Sequence, residues 1–172
     1  MTEKPFKSKK LEHKPVKACV SDIDKIIIFE KNVLNDSSEY TSKSNLKRLI
    51  QSSNSEVLVI KNKNKIYAYG IVTLRHFKNL PSGHIYKIAV LPELRNCGIA
   101  TEILSELEKY VIQKNIFKLF AEVRESNKAS LSLFQKLGYI PIRNLFGYYS
   151  CIDNSYELEN GIKLCKTING FT

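Results

Sequence analysis

Arg95, Gly98 and Ala100 stand at fixed spacing in the segment LRNCGIATEIL, where a β-prone run gives way to a helical pattern. A loop that feeds a helix leaves the first backbone N–H groups without intrahelical acceptors at the positive end of the helix dipole. Such a place suits an anion, a pyrophosphate above all. Gly98 allows a positive φ or a close approach of ligand to backbone. Pro92 ends the preceding strand because it has no N–H to give to a ladder. Arg95 and Thr101 add a charge and a hydroxyl. The segment is neither a GK[ST] phosphate loop nor a GxGxxG turn. A tight strand-to-helix turn with an incidental glycine would read the same way, so this segment alone leaves both readings open.

The second candidate is a carboxylate. In FKLFAEVR, Leu119, Ala121 and Val123 share one face of a strand, and Phe120, Glu122 and Arg124 share the other. A glutamate beside a phenylalanine on a largely apolar strand is out of place as a mere surface residue. His84 and Tyr86, on the run before it, are weaker candidates for a proton relay. His84 directly follows PSG and reads first as the start of a strand.

The elements that must hold these residues follow from periodicity and punctuation. A short strand at about 15–20 precedes a helix with Ser21 or Asp22 at its N-cap and a stripe of Ile23, Ile26, Ile27 and Val33 or Leu34. SKSNLKRLIQSS gives a second, shorter helix. Two β-prone runs around KNKNK predict a hairpin, and HIYKIAVL, residues 84–91, a further strand. In GIATEILSELEKYVIQKN, Ile99, Ile103, Leu104, Leu107 and Val111 share one helical face, while Glu102, Glu106 and Lys109 point away. FKLFAEV is a strand. The helix after it starts near Ser126 or Asn127, buries Leu131, Phe134 and Leu137, and stops at Gly138. Two last strands flank a variable loop at about 148–160. The order is β-α-α-β-β-β-α-β-α-β-β, without internal repeats or a linker, and predicts one α+β domain over residues 15–172 behind a basic, flexible tail of residues 1–14.

Composition narrows the function classes. The chain has 172 residues, 43% of them hydrophobic, enough for a substantial core. Its longest apolar runs, such as KIIIF and EVLVI, are too short to span a bilayer, and its lysine-rich start is unlike a secretory leader. The four cysteines, Cys19, Cys97, Cys151 and Cys165, form no CxxC or metal-ligand pattern. They read as isolated reduced thiols, which predicts a cytoplasmic protein with no metal and no membrane partner. The net charge of +10 invites nucleic acid, but much of it lies in the N-terminal segment and in KNKNK. No nucleic-acid-binding pattern accompanies it, and a phosphate-bearing small ligand suits the charge equally well. A homodimer is left open.

The junction at Arg95, Gly98 and Ala100 matches the signature [RQ]-x-x-G-x-[GA] after a strand and resembles the GNAT N-acetyltransferase superfamily. FAEVRESNKASLSLFQKLGY, residues 120–139, resembles the family's next strand and helix, and is most similar to ribosomal-protein alanine N-acetyltransferase-like members. GYY at 147–149 resembles a paired-tyrosine feature of the same members. The resemblance implies a central mixed sheet of six or seven strands flanked by about four helices, with acetyl-CoA as co-substrate in a cleft where two central strands splay. It implies that the backbone of Ile88, Ala89 and Val90 pairs with the pantetheine arm. Arg95, Asn96, Cys97, Gly98, Ile99, Ala100 and Thr101 would hold the pyrophosphate, and Asn127 would hydrogen-bond the pantetheine.

The implied activity is transfer of an acetyl group to a primary amine, a protein N-terminus or a small molecule, by direct attack on the thioester. Glu122 falls where such enzymes carry their base. Two departures stand out. Phe134 occupies the position of a tyrosine regarded as the general acid toward the CoA thiolate, and phenylalanine has no proton to give. Tyr139, Tyr148, Tyr149 or water would then substitute, or the thiolate would leave unaided, or the domain would bind acyl-CoA as a non-catalytic sensor. The second departure is VLNDSSEYTS, which lacks the Pro and Trp of the FPWS-like acceptor segment. Weak acid–base equipment suits an α-amine, about a tenth neutral at pH 7, better than a lysine amine.

Overall fold

The computed structural model describes residues 14–34, 37–63, 65–77, 80–150 and 158–168. Most of the basic N-terminal segment, residues 1–13, lies outside the described residues, as do Cys151 and the loop 151–157. The expected element order is observed.

A seven-stranded sheet runs through the molecule in the order β1-β2-β3-β4-β5-β7-β6. Its strands are β1 (Val16–Lys17), β2 (Ser55–Lys61), β3 (Ile66–Phe77), β4 (Leu80–Val90), β5 (Lys118–Arg124), β6 (Ile140–Tyr149) and β7 (Glu159–Thr167). All neighbours are antiparallel except β4 and β5. The parallel pair needs a crossover, and the helix α3 (Ile99–Gln113) supplies it. The first strand is shorter than its β-prone sequence because only Val16 and Lys17 pair with β2.

Two apolar layers fix the helices to the two faces. On one face Ile103, Leu104, Leu107 and Val111 of α3, with Phe134 of α4 (Lys128–Lys136), pack on Val72, Ile85, Leu119, Ala121 and Val123. The 3.6-residue stripe of α3 and the two-residue alternation of β5 therefore meet as the sequence predicts. On the other face Ile23, Ile26, Phe29 and Val33 of α1 (Ile23–Val33) and Leu46 and Leu49 of α2 (Lys43–Gln51) pack on Val57, Val59, Tyr69, Ile71 and Ala89. Asp22 precedes α1 but its carboxylate turns back to accept the Cys19 N–H at 3.0 Å, closing a short 3₁₀ turn ahead of the helix.

One irregularity opens the sheet. Ile71 pairs with Lys87 and Val72 with Ile85, which leaves Tyr86 as an extra residue in β4. Such a bulge bends the strand and increases its twist. The β4–β5 ladder accordingly covers Gly83, His84 and Ile85 and goes no further, so residues 86–90 diverge from 122–124.

Candidate active site

A cleft of about 440 Å³ passes between the diverging strands. On the α3–α4 side it is lined by Ile88, Ala121, Val123, Asn127, Ser130 and Phe134. On the α1–α2 side it meets Glu39, Tyr40, Tyr86, Lys87, Tyr148 and Tyr149. Glu122 and His84 sit at the junction.

Cross-strand register brings these two together. His84 pairs with Phe120, one step from Glu122 on the same face. His84 Nε2 contacts Glu122 Oε2, and Lys163, opposite Glu122 on β7, lies 3.2 Å from its other oxygen. From the far side Arg75 donates to His84 Nδ1 at 3.4 Å. Arginine has no acceptor, so Nδ1 must be the acceptor in that bond, and the ring proton is left on Nε2 to be donated to Glu122. Burial alone would push the Glu122 carboxyl up. The hydrogen bond from His84, with Lys163 behind it, outweighs burial and holds it below the usual carboxylate range. The reading of His84 as a strand-start residue is overturned: β4 begins at Leu80, and His84 is buried at 8% exposure in the middle of the site.

Tyr148 and Tyr149 both face the cleft, which two successive residues of a regular strand could not do. Between Leu145 and Tyr149 the β6 register slips against β7, and Gly147 takes a φ of +56°. Burial raises the hydroxyl pKa of both tyrosines, so both remain proton donors at neutral pH. Tyr139 is ruled out as a substitute acid. It is 2% exposed on the α3 side, its hydroxyl donates to Glu108 at 3.2 Å, and its ring makes an edge-on contact with Phe134 at 4.9 Å. Phe134 lines the cleft with no hydroxyl of its own, which leaves Ser130 as the hydroxyl on that wall.

The cofactor candidates divide into two groups. Ile88, Ala89 and Val90 lie on β4, where β3 occupies one backbone edge and the β5 ladder has ended on the other. That edge has the form a strand-like pantetheine would extend. Asn127 caps α4, its side-chain oxygen accepting the Ser130 N–H at 3.0 Å, so its amide N–H₂ is what it can offer a ligand. Arg95, Asn96, Cys97, Gly98, Ile99, Ala100 and Thr101 form the turn into α3 and do not line the cleft itself. Arg95 Nε donates to Val90 O at 3.3 Å, tying the turn to the strand end. Asn96 and Gly98 have φ of 62° and 83°, and a Cβ built on Gly98 would meet nothing within 4 Å. The first intrahelical bond is Glu102 N–H to Gly98 O at 3.0 Å, which leaves the earlier donors at the helix start for a ligand. Among the described residues no three His, Cys, Asp or Glu side chains converge to hold a metal.

Sequence reasoning missed Arg75, Lys163 and Arg124. Arg124 joins Glu39 at 2.7 Å and Glu159 at 3.0 Å, linking the α1–α2 connection to the start of β7. Cross-strand register places Arg75 by His84 and Lys163 by Glu122, and the chain's packing brings Glu39 to Arg124; local sequence carries no signal for any of these.

Residues 25–139, more than half of the chain, match the model of the acetyltransferase (GNAT) family. The chain belongs to the GNAT acetyltransferase family. This GNAT chain is 36% identical over 86 residues to an N-alpha-acetyltransferase of Saccharolobus solfataricus, covering 47% of this chain and 52% of the relative. The chain thus spans about half the length of the first curated relatives it matches. A longer match, 29% over 145 residues, joins it to an N-alpha-acetyltransferase of Sulfolobus acidocaldarius over 81% of this chain and 86% of that one. In fold, the GNAT chain superposes on the ribosomal-protein-S18-alanine N-acetyltransferase from Escherichia coli with a TM-score of 0.75 at 19% identity, over 93% and 96% of the two chains.

Proposed function

We propose that this chain is an acetyl-CoA-dependent N-acetyltransferase whose acceptor is an α-amine, at a protein N-terminus or on a small molecule. The observation that carries the reading is the opening through the sheet, with the Glu122–His84 pair at its centre and the turn into α3 tied to the end of β4. The names of the archaeal relatives support the amine class. Residues 15–172 act as one domain, and the cytoplasm is the proposed compartment. No helix among the described residues is long and apolar enough to cross a membrane.

The free edge of Ile88–Val90 and the amide of Asn127 hold the pantetheine, and the turn from Arg95 to Thr101 holds the pyrophosphate. The acceptor amine arrives from the α1–α2 side. Its nitrogen bonds to the acetyl carbon as the carbon–sulfur bond breaks. Glu122, held below its usual value, is a weak base by itself, so the amine proton passes to the Glu122–His84 pair as a unit. The departing thiolate takes its proton from Tyr148, Tyr149 or water.

Calorimetric titration with acetyl-CoA, and CoA alongside, tests the cofactor half. One site per chain is expected, lost in Gly98→Glu, which sets charge and bulk against the pyrophosphate. Unchanged affinity in that variant overturns the assignment. Thiol release with an amine panel then separates a transferase from a non-catalytic acyl-CoA sensor, the reading that Phe134 keeps open. Binding without release from any amine would favour the sensor.

A further inference from the structure

The face of the sheet that carries Glu122 and His84 continues past them toward the start of β4. There a second cavity, about 400 Å³, is lined by Arg75, His76, Ser82, His84, Phe120 and Lys163. Register explains all of the set but His76: Arg75 pairs with Ser82, His84 with Phe120, and Lys163 with Glu122, all on one face. The cavity shares only His84 with the cleft described above. It lies on the acceptor side, since Phe120 and Glu122 alternate with Leu119, Ala121 and Val123, which face α3 and α4.

The cavity is cationic. Lys163 has Glu122 as its partner, but no carboxylate lies within ion-pair distance of Arg75 or His76 among the described residues. Arg75 is exposed, and its one hydrogen bond among them goes to His84. A guanidinium presents paired N–H groups that match a carboxylate, and one uncompensated cation suits a monoanion. The Phe120 ring, with Lys163 Nζ 5.1 Å from its centroid, gives the cavity an apolar wall for the carbons that carry such a group. Beside Phe120 on the same face stands His84, which touches Glu122, the group that takes up the acceptor amine's proton in the proposed reaction. An anion seated here therefore belongs to the acceptor and lies within a few bonds of its amine.

We propose that the Arg75 cavity is a carboxylate subsite for the acceptor, so that the preferred amine bears a carboxylate on or beside its α-carbon. This rests on the acetyltransferase reading. The carboxylate has two sources, an acidic N-terminal side chain of a peptide or the α-carboxylate of a free amino acid.

The test is calorimetric binding to the CoA-loaded full chain. One pair of probes is a peptide amide beginning with Asp and its Asn counterpart; the other is free alanine and alaninamide. The acidic member of one pair should bind about tenfold more tightly, as one added charge-assisted contact allows, and the pair that discriminates names the source. Arg75→Gln should abolish that preference while leaving acetyl-CoA affinity intact, and Arg75→Lys should keep part of it. Equal affinities within both pairs, no binding of any probe, or a preference that survives Arg75→Gln would each overturn the subsite. Thiol release on the same samples keeps the two readings apart. Preference for the acidic probe without release would sink the transferase and leave the subsite; release without preference would sink the subsite alone.

Discussion

Glu122 accepts from His84 on one oxygen and faces Lys163 on the other, so its charge serves both the pair and the fold. Glu122→Gln should lower kcat by about 100-fold, the scale of a lost acid–base group, with acetyl-CoA affinity unchanged; equal kcat would demote it to a structural role. The same residue sets a pH dependence. Its folded pKa is lowered, so its contribution to stability is complete above the ordinary carboxylate value and is lost as pH falls through the lowered folded value. Urea melts of wild type and Glu122→Gln should therefore converge below about pH 4 and separate above it. A separation that persists unchanged into acid would contradict the assignment. The missing hydroxyl at Phe134 poses the other residue-scale question. In a Tyr148→Phe, Tyr149→Phe double variant, single-turnover thiol release should slow by about 100-fold, and adding Phe134→Tyr should recover part of it. Undiminished release would leave water or unaided departure of the thiolate as the route.

At the scale of elements, the α1–α2 side of the cleft is shaped by how the α1–α2 connection is fastened. Glu30, 1% exposed on α1, accepts from Thr41 N–H at 2.7 Å, from Thr41 Oγ1 at 2.8 Å and from the Tyr69 hydroxyl, and pairs with Lys87 at 3.1 Å. Lys87 also donates to the Glu39 carbonyl. One buried carboxylate thus ties α1, the connection after it, β3 and β4 together at the cleft mouth. Glu30→Ala takes the counter-charge from Lys87 and the acceptor from two hydroxyls and should cost about 3–5 kcal/mol of stability. Denaturant unfolding measures this directly, and a loss below about 1 kcal/mol would show that the network is dispensable.

For the whole molecule, the proposed function gives the two sides of the sheet separate tasks: α3 and α4 would back the cofactor half, while α1, α2 and the β6–β7 end would frame the acceptor half. The basic N-terminal segment, with Lys4, Lys7, Lys9 and Lys10 against Glu3 and Glu12, belongs to neither in this proposal. Deleting residues 1–13 should leave acetyl-CoA affinity and thiol release unchanged. If the segment holds nucleic acid, its deletion should abolish a binding that falls steeply with salt. A truncated chain that no longer binds the cofactor would show that the segment completes the domain.

Much of this was legible in the chain itself. The order of the eleven elements, the buried stripes of α1 and α3 and the turn at Gly98 follow from periodicity and punctuation, which are local and act within a few residues. Glu122 was legible as well, because a carboxylate among apolar neighbours breaks an alternation that can be counted. What local order could not determine was company. That His84 belongs to Glu122, that Arg75 stands behind His84, and that Tyr139 turns into the core while Tyr148 and Tyr149 enter the cleft depend on strand register and on two irregular segments, at Tyr86 and at Gly147. Each slip of one residue moves a side chain to the opposite face of a sheet. The set of groups around Glu122 was therefore decided only when the seven strands came into register.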